Sequence, residues 1–224
     1  MSKDERTGEV LYEPEILEQL VRRLPRFVDH LNAEDGDVED GHQSELVLQR
    51  EIGKRLKTWL PSSNLVCQNK MLVREGKRSY IPDIIINKIG GGCWTVFELK
   101  TLLLTDQLPI DLILEDLEKL CKYETAHPDA LCMFILIASE EKLTDSRRKK
   151  SWADLPISID GDVFLSTTPR PQIINSTHVA IPWLINDESK AAVYIWLVRH
   201  RDRQDAARSG TYRFRARMNP PATA

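Results

Sequence analysis

The sequence has no stretch that could cross a membrane as a helix, since apolar runs such as 131–138 stop far short of the ~20 consecutive residues a span needs. Its amino terminus lacks the positive-then-apolar pattern of a secretory signal, so the expectation is a cytoplasmic protein with no membrane partner. Cysteine is scarce. Cys67, Cys93, Cys121 and Cys132 stand 26, 28 and 11 positions apart, which excludes a C-x-x-C redox pair or a compact zinc site and leaves reduced, mostly buried thiols as the expectation. Glycine and proline number 10 and 12 in 224 residues, too few for a collagenous or low-complexity chain. Gly53-Lys54 and Gly76-Lys77 lack the upstream glycine of a phosphate-binding loop, and no G-x-S-x-G occurs, so nucleoside triphosphatase and α/β-hydrolase chemistry lose their usual signals. The five histidines, His30, His42, His127, His178 and His200, share no spacing and are expected at the surface or in turns.

What is present is an ordinary globular composition, 42% hydrophobic and 29% charged, in a length that suits one large domain. The net charge of −3 is unevenly placed. Residues 1–45 hold 13 acids and 5 bases, leaving 21 acids and 26 bases for 46–224, so a leader of −8 precedes a body of +5. A mildly basic body is compatible with a polyanionic partner, and equally with plain solvation.

Periodicity predicts a short amphipathic helix over 13–31 and an acidic exposed loop over 34–41. Over 44–60, Leu48, Ile52, Leu56 and Trp59 form one stripe, with Ser44 placed as N-cap and Pro61 beyond the end, which predicts a helix. Strands are predicted over 65–74 and 80–87, joined around Glu75 and Gly76, and over 94–99 after Gly90, Gly91 and Gly92. A second helix is predicted over 110–124, striped by Ile110, Ile113, Leu117, Leu120 and Cys121, followed by a wholly apolar, doubly covered strand over 131–138. The fold class is therefore α/β, a sheet covered by helices on both faces. Residues 142–150 read as a basic linker, 158–165, 173–185 and 192–198 as further strands, 211–217 as a short strand and 219–224 as a disordered tail.

Alternation puts Ile81, Asp83 and Ile85 on one face of their strand and Trp94, Val96, Glu98 and Lys100 on one face of the next. If Gly90 and Gly91 form a two-residue hairpin loop, Ile85 meets Val96 and Asp83 meets Glu98, with Cβ atoms about 4.5–5.5 Å apart. Opposed carboxylates on an apolar sheet face need a positive charge between them, and a hard divalent cation such as Mg²⁺, which takes one or two protein carboxylates, supplies it. Lys100, two residues beyond Glu98 on the same face, adds a point charge for water or phosphate. A solvated edge stripe is the plain alternative, and the apolar neighbours Ile84, Ile86, Phe97 and Leu99 argue against it.

Ile81-Pro82-Asp83, fourteen residues, then Glu98-Leu99-Lys100, behind a helix bearing Glu45, resembles the PD-(D/E)xK nuclease superfamily of restriction endonucleases, junction resolvases and repair nucleases. The resemblance implies a restriction-endonuclease-like αβββαβ core over 44–139, a mixed central sheet flanked by helices. It leaves 1–43 as an N-terminal helix and acidic loop and 140–218 as an extension of the same domain carrying extra strands. It implies Asp83 and Glu98 as Mg²⁺ ligands, with Mn²⁺ able to substitute, and Lys100 as the residue that positions the attacking water. Glu45 matches the acid that many members carry on the first helix, with Glu51 as fallback. The activity implied is a metal-dependent deoxyribonuclease, an endonuclease in restriction, defence or repair, acting on DNA as a homodimer or with partner proteins. Some members carry Gln-x-x-x-Tyr on the second helix. Here the spacing is Lys119-x-x-x-Tyr123, a departure that leaves Lys119 and Tyr123 as candidate nucleic-acid contacts beside Arg147, Arg148, Lys149, Lys150 and the seven arginines of 199–217. A catalytically silent nuclease-fold subunit that binds DNA or an assembly, and an unrelated α/β protein with a chance motif, are the alternatives.

Overall fold

The computed structural model describes residues 41–59, 66–67, 73–76, 78–87, 93–102, 108–139, 142–143, 155–159, 163, 170–188 and 191–203. The elements run α1 (Gly41–Trp59), β1 (Val66–Cys67), β2 (Val73–Glu75), β3 (Arg78–Tyr80), β4 (Ile84–Asn87), β5 (Cys93–Leu102), α2 (Ile110–Ala126), β6 (Leu131–Ser139), β7 (Gln172–Ile173), β8 (His178–Glu188) and β9 (Ala191–His200). A 3₁₀ turn, Arg201–Arg203, follows. Seven strands form one sheet in the order β1-β4-β5-β6-β9-β8-β7. Among the described strand pairs only β5–β6 is parallel, because α2 lies between them in the chain and carries it back to the same end of the sheet. The fold is thus α/β with a mixed sheet.

The order of burial follows from composition. All nine residues of β6 are buried, as expected of a central strand with no polar residue before Ser139. On one face Ile85, Val96, Leu102, Phe134, Leu136 and Trp196 join Ile113, Leu117 and Leu120 of α2 in a single cluster. Phe97, Leu99, Met133, Ile135, Ile137, Val193 and Ile195 alternate with them and are equally buried. Helix α1 packs on β1 and β5 through a stripe that includes Leu48, Ile52 and Leu56, each 1% exposed or less. None of the described helices is long and apolar enough to cross a membrane.

Several expectations change. Helix α1 begins at Gly41, so Ser44 lies inside its first turn rather than capping it; Gly41, His42 and Gln43 are all non-apolar and carry no periodic signal. The strands expected over 65–74 and 80–87 are not one continuous hairpin. Residues around Gly76 form a separate two-stranded ribbon, β2–β3, whose tight turn uses Gly76 at φ +59°, a conformation with little cost for glycine alone. The sheet pairing is instead β1 with β4, Val66 opposite Ile86. Ser158 and Ile159 are not in a strand and Val163 is helical, so no strand occupies the described part of 158–165. The run 173–185 is broken at 174–177, which turns β7 into β8. Lys142 and Leu143 of the expected linker are helical, with Leu143 buried, and Gly41 of the expected loop is helical too; the expectations for 13–31, 34–40, 144–150, 211–217 and 219–224 lie outside the described residues.

Truncating Leu117, wholly buried between α2 and the sheet, to alanine is expected to cost about 2–5 kcal/mol in urea unfolding. Leu114→Ala, three residues away and 38% exposed, is expected to stay within about 0.5 kcal/mol of the parent. Equal losses would mean that α2 is packed in a different rotation.

Candidate active site

The site is built where β4 enters the sheet beside the middle of β5. Ile84, Ile85 and Ile86 pair with Phe97, Val96 and Thr95, the register expected from the sequence, and continuing it by one residue sets Asp83 opposite Glu98. Farther along, the ladder slips by one and Asn87 pairs with Cys93, so the register does not continue into a two-residue loop at Gly90 and Gly91; residues 88–92 lie outside the described residues. Asp83 immediately precedes β4 and turns back on its neighbour strand. Its Oδ2 accepts a hydrogen bond from the Leu99 N–H at 2.7 Å. Gln49 of α1 donates to the Asp83 carbonyl at 2.7 Å and reaches its Oδ1 at 3.5 Å.

Glu98 and Lys100 alternate with Val96 and Leu102 on the face that α2 covers. Glu98 is 1% exposed, and its Oε1 has no hydrogen-bond partner among the described residues. The Lys100 ammonium is enclosed. It donates to both oxygens of Glu45 at 3.2 and 3.3 Å and to the Leu99 carbonyl at 3.1 Å, and lies 2.8 Å from Asp116 Oδ2. Glu45 therefore does point from α1 to the site, whereas Glu51 is engaged by Lys54 on its own helix. From α2, Lys119 donates to Asp116 Oδ1 at 2.5 Å and stands 3.9 Å from Glu98 Oε2. Tyr123, one turn farther, is fully buried with its hydroxyl unpartnered among the described residues.

Asp116 is the residue that the sequence reading missed. It is 2% exposed and follows Ile113 by three and precedes Leu120 by four, so an acid stood on the buried stripe of an amphipathic helix. That displacement was the available signal, because polar groups placed in a core need partners.

Electrostatics sharpen the picture. Burial raises the Glu98 pKa well above the ordinary carboxylate value, and the charges of Asp116 and Asp83 raise it further against Lys119 and Lys100. Burial likewise raises Glu45 and Asp83, in Glu45 against the pull of Lys100, in Asp83 against the Leu99 N–H and Lys100. Burial alone would lower the lysines, but Asp116 and Glu45 hold Lys100 above its ordinary value, and Glu98 and Asp116 do the same for Lys119. Both stay cationic. Four carboxylates thus face two ammonium groups, an excess of two negative charges when all are ionised, which is the charge of one divalent cation. Two like charges about 5 Å apart at an effective dielectric near 20 repel by roughly 3 kcal/mol, so the excess is a real cost.

Among the described residues no three Asp, Glu, His or Cys side chains converge closely enough to enclose an ion. The donor set nevertheless fits an ion that takes one or two protein carboxylates and keeps its waters: the donors are hard oxygens, and a buried Glu98 oxygen has no partner of its own.

Other candidates are placed elsewhere. His178 is 5% exposed, not superficial: its Nε2 lies 3.4 Å from Glu124 Oε2 and 3.3 Å from Thr125 Oγ1, and its Nδ1 2.9 Å from Thr177 Oγ1, tying the end of α2 to β8. Arg199 donates to the Ala130 carbonyl at 2.7 Å and Arg201 to that of Asn175 at 3.0 Å, so these two arginines brace the fold. Arg147, Arg148, Lys149 and Lys150 lie outside the described residues. Cys121 and Cys132 are buried, reduced thiols, as expected. No family model, curated protein or solved structure matches the chain.

Because burial raises these carboxylates, the folded protein holds more protons than the unfolded chain between the ordinary carboxylate range and the raised values, and stability falls as pH rises through that window. In EDTA, the melting temperature is expected to decline from pH 5 to pH 8. Glu98→Gln should flatten the decline and raise the pH 8 value by a few degrees, about 1 kcal/mol being worth roughly 2–4 °C at this size. An unflattened slope would mean that Glu98 does not bear the excess charge.

Proposed function

We propose that the chain is a Mg²⁺-dependent deoxyribonuclease of the PD-(D/E)xK type, with Asp83 and Glu98 as the ion's ligands, Glu45 beside them and Lys100 as the water-positioning residue. The observation that carries this reading is that Glu45 of α1, Asp83 at the entry to β4, and Glu98 and Lys100 of β5 interact as one group of charges in which a buried Glu98 oxygen is unpartnered among the described residues. The element order from α1 through β6, with β1, β4, β5 and β6 adjacent in that order, supports the same assignment, the β2–β3 ribbon being an insertion. Mn²⁺ serves in place of Mg²⁺.

When bound, the cation would supply positive charge against the phosphate and make water more acidic. The chain's own groups do the rest. Asp83 is oriented by the Leu99 N–H and Gln49, so its carboxylate does not swing. Lys100 keeps its charge at the site and hydrogen-bonds a water or a phosphate oxygen when it is released from Glu45. The apolar walls formed by Val96, Leu117 and Phe134 limit water and strengthen each of these interactions.

DNA cleavage is expected with Mg²⁺ or Mn²⁺ and is expected to cease in excess EDTA. Asp83→Ala, Glu98→Ala and Lys100→Ala should each lower the rate at least about 10²-fold while melting cooperatively. Plasmid, linear and single-stranded substrates run side by side separate endonuclease from exonuclease action. Full activity in any one folded variant, or undiminished activity in EDTA, sinks the mechanism, and a wild-type chain that binds DNA but cuts none of the three would make the silent-subunit reading the better one.

A further inference from the structure

Among the described residues, Asp116 is the carboxylate that touches both lysines of the site. Each of its oxygens takes one ammonium: Oδ1 receives Lys119 at 2.5 Å and Oδ2 lies 2.8 Å from Lys100. The two lysines differ in exposure, 11% for the Lys100 side chain and 29% for that of Lys119, so Lys119 is the member nearer solvent. Next to the pair, Glu98 Oε1 and the Tyr123 hydroxyl are buried without hydrogen-bond partners among the described residues. Native proteins rarely leave buried polar atoms so, which marks this as a place for a polar ligand.

We propose that Asp116 is a positioning residue that holds Lys100 and Lys119 side by side as a seat for one phosphodiester group. Lys119, nearer solvent, meets a phosphate oxygen, and Lys100, once released from Glu45, stays beside it on Asp116. The reasoning is electrostatic and geometric. A lysine side chain has several rotatable bonds and roughly 2 kcal/mol of rotamer entropy to lose, so an ammonium group that must meet a phosphate gains from being fixed in advance. One carboxylate shared between two ammonium groups fixes both, and once a divalent cation offsets the site's excess of two negative charges the ammonium groups would attract an anion. The inference rests on the nuclease reading for the identity of the ligand.

A merely structural buried acid makes the opposite prediction about binding. Removing a negative charge near a polyanion should tighten DNA binding, whereas loss of the tie should weaken it. DNA affinity of the full chain is measured with Ca²⁺ in place of Mg²⁺ on a short duplex, for wild type, Asp116→Asn and Lys119→Met. Both variants are expected to bind about tenfold more weakly, the loss of one charge-assisted phosphate contact. In EDTA, nitrogen-detected NMR of the lysine ammonium groups should show two protected signals in wild type, both absent in Asp116→Asn. Unchanged or tighter DNA binding by Asp116→Asn, or survival of both ammonium signals in it, overturns the inference. If Asp116→Asn does not fold, Asp116→Glu, which keeps the charge but moves it, carries the same binding test with the same reading. A wild-type chain that cleaves no DNA counts against the nuclease reading and leaves these two measurements to judge Asp116 on their own.

Discussion

The Lys100 ammonium is bonded to a carboxylate from each of the two helices that flank its strand, Glu45 of α1 and Asp116 of α2. Because the group is buried, water cannot replace either partner, and the attraction is correspondingly strong. A buried charge so paired fixes how both helices meet β5. It also bears on the site, since one of the two acids, Asp116, is the charge that raises Glu98 most. Stability and chemistry therefore draw on one group of charges, and the group is unbalanced toward the negative. Much of the molecule around it is apolar support: β6 and β9 at the centre of the sheet, with Phe134 and Trp196 packed at 5.7 Å between ring centroids, keep β5 where the charges need it.

The imbalance gives the site its character. Fully ionised, the four acids repel one another, and the protein relieves the strain by keeping protons on raised carboxylates, by holding two lysines cationic, or by taking a divalent ion. These three remedies compete for the same oxygens. On the proposed function, an ion that enters would displace protons and weaken the hold of Glu45 and Glu98 on the lysines, which Asp116 would keep in place for a phosphate, so that ion binding and substrate contact would be coupled through Glu98 and Asp116.

What could be read in advance followed the strength of the periodic signal. Helix α2 and strand β6 carry dense apolar patterns and were legible almost to the residue, ending at Ala126 and Ser139. The Ile85–Val96 register expected from a two-residue loop at Gly90 and Gly91 is found although the ladder slips at Asn87, and continuing it one residue opposes Asp83 and Glu98; the three consecutive buried isoleucines gave no face by which to choose it. The β2–β3 ribbon was not legible, since alternation identifies strands but does not say which strand each one joins. Nor was Asp116 read, although its spacing from Ile113 and Leu120 placed it inward. His178 was hidden by its isolation: a single histidine gives no spacing to read, and its partner Glu124 is 54 residues away in sequence.

Calorimetric titration of Mn²⁺ or Mg²⁺ into the metal-free chain at neutral pH, in two buffers of different ionisation enthalpy, tests the central claim most directly. One ion should bind per chain with net release of protons, and Glu98→Gln should abolish or greatly weaken binding while the protein stays folded. Absence of binding to the wild type, or binding that is unchanged in Glu98→Gln and releases no protons, would contradict the account.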